Sequence, residues 1–113
     1  RVNSVCYIID KKIAYISDVS DIAKKDFKYF KKLKYLIIDC LWLRHHPSHL
    51  NLENSLKFIN DDGLIVLDDY GLKGWWLDGI TKAVKYYEKE KTIKIISRHN
   101  IFNYHHQCII RKF

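Results

Sequence analysis

An α/β fold, a layered sheet with flanking helices, is predicted for this 113-residue chain by three observations. Short β-rich apolar runs alternate with segments of helical apolar spacing. Three of the runs are of the buried, parallel type, apolar on both faces. Each of those three leads into an aspartate: Asp18, Asp39 and Asp68. The order reads ββαβαβαββ, with five or six strands and three helices in one compact unit over 1–113.

Residues 4–9 and 13–17 read as two strands, and the link 10–12 is short enough for a hairpin. Ser20 and Asp21 are placed to cap a following helix, on which Phe27, Phe30 and Leu33 recur with lysines between them. Residues 35–39 form the next strand. Asn51 or Ser48 then caps a helix with Leu52, Leu56 and Ile59 on its apolar face and Glu53, Asn54 and Lys57 outward. Residues 63–68 are another buried strand, ending in the acids Asp68 and Asp69. A loop over 70–75 leads into a helix over about 77–90, and residues 92–97 and 107–112 read as the last strands.

Composition narrows the function classes. Hydrophobic content of 48% with 14% aromatics argues against disorder. One domain of this length has no room for a substrate domain beside a cofactor domain. Twenty Lys and Arg against 13 Asp and Glu give a net charge of +7. That balance attracts polyanions at long range. The lysines read as a solvated helical face, because the arginine pairs and stacking aromatics of a nucleic-acid module are missing. The three cysteines, Cys6, Cys40 and Cys108, are far apart and form no CxxC pair. Free thiols in the reducing cytoplasm are expected. No apolar run is long enough for a membrane span, and no signal peptide is visible. The chain opens on Arg1, as a piece of a longer protein would.

The chemistry-bearing groups follow the strands. Asp18 closes one apolar run, and the segment Arg44-His-His-Pro-Ser-His49 follows another. A carboxylate with the imidazoles of His46 and His49 suits divalent metals or phosphate chemistry. The ends of strands are where an α/β fold exposes such groups. The pair Asp68 and Asp69 offers a second oxygen-rich patch. Trp75 and Trp76 read as one packed and one partly exposed ring, and His99, His105 and His106 as loop and strand-edge residues.

Four stretches carry a resemblance over residues 2–59: Val5-Cys-Tyr-Ile-Ile, Ile13-Ala-Tyr-Ile-Ser-Asp18, Leu33-Lys-Tyr-Leu-Ile-Ile-Asp39 and His46-Pro-Ser-His49-Leu-Asn-Leu-Glu53. Together they resemble the phosphodiesterase-like branch of the metallo-β-lactamase superfamily. The resemblance implies a metal-dependent hydrolase of a phosphodiester or related ester, with zinc or manganese as cofactor. It implies that Asp18 is the bridging metal carboxylate. His49, with His46 beside it, is then the catalytic group that holds a phosphoryl oxygen and protonates the leaving alkoxide. Asp39 is expected either to hydrogen-bond backbone or a histidine behind the metal, or only to terminate its strand. The family's HxHxDH motif is absent here. The site is therefore expected to be partial or degenerate, and inactive in this chain alone.

Residues 62–113 resemble something else. Asp62-Gly-Leu-Ile-Val-Leu-Asp68-Asp69-Tyr-Gly71, Gly79-Ile-Thr-Lys-Ala83-Val84 and Gln107-Cys-Ile-Ile-Arg-Lys112 are similar to the end of a class I S-adenosylmethionine-dependent O-methyltransferase. That resemblance implies Asp68 and Asp69 as a metal-holding pair. The glycine-rich cofactor loop does not occur, since Gly71 and Gly74 are wrongly placed for one. No residue is therefore assigned to cofactor binding. The change near residue 60 marks a junction between hydrolase-like and methyltransferase-like segments. A non-catalytic interaction module, pairing with a second copy, is the remaining expectation.

Overall fold

The computed structural model describes residues 4–31, 33–40, 47–71, 79–101 and 105–113, and of residues 100, 101, 105 and 106 the backbone alone. His46, Trp75 and Trp76 lie outside the described residues.

Among the described residues six strands form one sheet: β1 Cys6–Ile9, β2 Ile13–Ile16, β3 Tyr35–Ile38, β4 Leu64–Asp68, β5 Ile93–Ile101 and β6 His105–Lys112. Their order is β1-β2-β3-β4-β6-β5. β2, β3 and β4 are parallel; β1, β6 and β5 add antiparallel neighbours on either side. The expected α/β layering is therefore present, as a mixed sheet that runs through both segments of the chain.

Local chemistry explains the connections. Asp10 and Lys11 both take positive φ, and Lys12 N–H donates to Ile9 C=O at 3.0 Å. Two left-handed residues match the twist of the paired strands, which closes the hairpin. Between β2 and β3 the chain forms a 3-10 helix, Lys24–Tyr29, where an α-helix was expected. Phe27, Phe30 and Leu33 recur every three residues, the 3-10 repeat. The expected caps do not act there. Ala23 stands at the start without a side-chain cap, and Asp21 instead accepts from the Ile22 N–H at 2.8 Å.

Helix α1, Leu52–Leu56, is capped as the sequence suggests: Asn51 Oδ1 accepts from Asn54 N–H at 2.8 Å. It ends before Ile59. Helix α2, Gly79–Lys89, buries Ile80, Ala83 and Val84. The last two strands reach further than expected and form a long hairpin, with Asn100 opposite His106 and Ile101 opposite His105.

The core lies on one face of the sheet. Ala14, Ile16, Leu36, Ile38, Ile65, Leu67, Cys108 and Ile110 meet Leu52, Leu56, Ile80 and Val84 there. The parallel connections place the helices on this same side, as right-handed crossovers do. The three cysteines are free thiols, with Cys40 and Cys108 buried and Cys6 half-buried. No helix of the described residues is long and apolar enough to cross a membrane.

Candidate metal centre

The parallel ladder sets three aspartates at one edge. Ile16 is level with Ile38, and Ile38 with Leu67. The chain therefore leaves β2, β3 and β4 through Ser17-Asp18, Asp39 and Asp68 at the carboxyl ends of the strands. Ligands of open α/β sheets bind beyond such ends. Asp39 still belongs to the ladder, since its N–H donates to Ile16 C=O at 3.3 Å.

Asp18 has a φ of 51°, a left-handed conformation that short polar side chains tolerate. Two serines hold the turn. Ser4 Oγ donates to the Asp18 C=O at 2.7 Å, and Ser17 Oγ to Asp18 Oδ2 at 3.2 Å. Asp18 itself remains 74% exposed.

His49 arrives from a distant part of the chain. Cys40 and Leu50, both buried, form an isolated parallel bridge. That bridge runs the segment before α1 alongside the exit of β3 and sets His49 beside Asp39. Asn51 then locks the next residues into the helix cap. The His49 ring, 15% exposed, stands between two carboxylates: Nε2 is 3.8 Å from Asp18 Oδ1, and Nδ1 is 3.4 Å from Asp39 Oδ2. Both spacings are wider than good hydrogen bonds.

Electrostatics single out Asp39. Burial pushes the Asp39 carboxyl above the usual carboxylate range. The His49 ring opposes that shift, while the nearby charges of Asp68 and Asp18 add to it. A half-buried carboxylate among like charges is one that a cation would relieve.

The donor set suits a divalent ion. One donor atom each from Asp18, Asp39 and His49 lies within 4.8 Å of the other two. Two donors on one zinc ion, each at about 2.0–2.2 Å, lie at most about 4.4 Å apart. The 3.8 Å between His49 Nε2 and Asp18 Oδ1 falls inside that limit. Carboxylates and imidazole are also the ligand types of zinc and manganese. Three protein donors at most leave coordination positions open.

Asp18 and His49, the two groups of the hydrolase expectation, thus converge. Asp68 stands at the end of β4, near enough to raise the Asp39 pKa, but is not one of the three clustered donors. Asp69 follows it with a φ of 58°. His46 lies outside the described residues. Asp39 is the donor that the sequence undervalued. The signal for it was its position directly after a buried strand, where the register sets it level with Ser17, next to Asp18. A cleft of about 150 Å³ opens beside Asp39, lined also by Tyr15, Ile37, Val66, Asp68 and Gln107.

No protein-family model matches the chain, and no curated protein matches it. Among solved structures, one similar chain is a new diphosphatase from the PhnP family. It shares 32% identity over 42% of this chain and 18% of its own, with a TM-score of 0.36. Another is a proposed rRNA methylase from Clostridium thermocellum, with 16% identity over 72% of this chain and 51% of its own, and a TM-score of 0.44. The chain spans about a fifth of the first and about half of the second. Both likenesses are distant and partial.

Proposed function

We propose that Asp18, Asp39 and His49 form a divalent-metal locus belonging to a partial metal-dependent hydrolase that acts on a phosphodiester or related ester. The observation that carries this reading is the convergence of the three donors at the carboxyl edge of the parallel strands. In this reading Asp18 and His49 Nε2 face the ion. Asp39, on the Nδ1 side, holds the ring in the tautomer that leaves Nε2 its lone pair. A divalent cation there supplies Lewis acidity toward a phosphoryl oxygen and a water of lowered pKa. A ring nitrogen that ligates carries no transferable proton, so protonation of the leaving oxygen falls to His46.

The site is incomplete as a catalyst. The Asp18 carboxylate and the His49 imidazole, with Asp39 behind the ring, offer a locus for one ion but do not build the bridged metal centre that the amino-terminal resemblance implies. Metal analysis by mass spectrometry after loading with manganese or zinc should find about one bound ion per chain, and an assay on a chromogenic phosphodiester should find no turnover above metal alone. Metal-free protein after loading would refute the locus. Turnover by the chain alone would refute its incompleteness.

A further inference from the structure

The sheet has a second face, opposite the helices. Register places Tyr7, Tyr15, Ile37, Val66 and Ile109 in one row across β1, β2, β3, β4 and β6 on that face. Val5, Tyr7, Ile9, Tyr15, Tyr35 and Ile37 are each 36–67% exposed. The central parallel strands are thus apolar on both faces, a pattern found where both faces are covered. At roughly 150–250 Å² for an aromatic side chain, these fractions and the half-buried Leu64, Val66 and Ile109 sum to on the order of 600–800 Å². That exceeds the usual apolar patch of a monomer and approaches the ~800 Å² per partner of a stable interface.

Charge is ordered around the apolar row. On one side Arg111 and Lys94 lie level with each other across β6 and β5, and Lys34, Asp61 and Asp62 line the same cleft as Arg111, with Asp61 paired to Lys112. On the other side stand the carboxylates of Asp39 and Asp68, which follow the level pair Ile38 and Leu67 or end it. Within one chain the two sets are separated by the length of the strands: Arg111 is level with Leu64, and Asp68 with Gln107. A second copy turned end over end about the apolar row brings the cationic end of each sheet over the carboxylate end of the other. Arg111 then lies over Gln107 of the other copy, one strand spacing of about 4.8 Å from Asp68.

We propose that this face pairs with a second copy of the chain, in a two-fold, face-to-face sandwich with the strands of the two sheets antiparallel. Sheets packed in this way interdigitate apolar side chains at a separation of about 10 Å. The same patch serves both copies, as two-fold pairing requires.

Sedimentation equilibrium over a range of chain concentrations tests the proposal. The expected result is a monomer–dimer equilibrium that the double variant Tyr15→Lys/Ile37→Lys weakens at least ~10-fold in dissociation constant, with an unchanged far-ultraviolet spectrum. Arg111→Glu alone and Asp68→Lys alone should each weaken pairing, and the two together should restore it. A wild-type monomer at every concentration, including one whose face is taken by a different polypeptide, would overturn the proposal. So would open-ended aggregation, or a dimer indifferent to the lysine pair. Should the lysine pair prevent folding, the charge exchange decides: failure of the double variant to recover pairing overturns the antiparallel sandwich.

Discussion

Asp39 concentrates the physical tension of the site in one side chain. Its carboxyl is about two-thirds buried, beside one imidazole and two other acids. A carboxyl whose folded pKa is raised binds its proton more tightly in the folded state than in the unfolded one. Its protonated form therefore favours folding below the unfolded value of about 3.9, and that contribution is lost as pH rises through the higher folded value. Asp39→Asn should consequently raise the thermal midpoint at neutral pH and leave it unchanged in acid, as differential scanning calorimetry at several pH values would show. Metal affinity should respond in the opposite sense. Since the carboxylate must be ionised near the cation, affinity in the native protein should fall as pH drops through the raised Asp39 value. Asp39 was legible in the sequence as a strand-end acid or as a partner of backbone or of an unspecified histidine. Its partnership with His49 depends on a fold that joins residues ten positions apart.

Elements show where local signals suffice and where pairing overrides them. The Asn51 cap was readable because its side chain needs only the backbone three residues on. Asn51→Ala should lower stability by about 1 kcal/mol in urea unfolding. The 3-10 segment is not distinguishable from an α-helix in the sequence, because Phe27, Phe30 and Leu33 fit either helical period over so short a span. The long β5–β6 hairpin was underestimated at its distal end, where His99, Asn100, His105 and His106 have little intrinsic strand preference. Cross-strand pairing supplies the structure there. Gly63, ahead of β4, illustrates a constraint from close packing. A Cβ there would overlap the Ile59 side chain and come within 2.8 Å of Asn60 C=O. Gly63→Ala should cost about 1–3 kcal/mol by the same unfolding assay.

The whole molecule is held by one buried layer between sheet and helices. Leu36 is fully buried in the central parallel strands. Leu36→Ala should cost about 2–5 kcal/mol in chemical unfolding, with a larger loss the less the core collapses around the cavity. The α/β class was legible at this scale because buried runs and helical spacings alternate along the chain. The order of strands was not, since β6 enters between β4 and β5 through pairing that no local pattern encodes. The site follows the same division. The sequence marked Asp18 and His49 by their residue types, while the parallel register and the Cys40–Leu50 bridge bring them to 3.8 Å.

The most direct test of the metal locus is a zinc titration followed at the imidazole nitrogens of His49 by heteronuclear NMR. A saturable shift of the Nε2 resonance at about one equivalent of zinc is expected, absent from Asp18→Asn, with Nδ1 retaining its proton. An unshifted His49 ring, or a shift that survives loss of the Asp18 carboxylate, would contradict the locus.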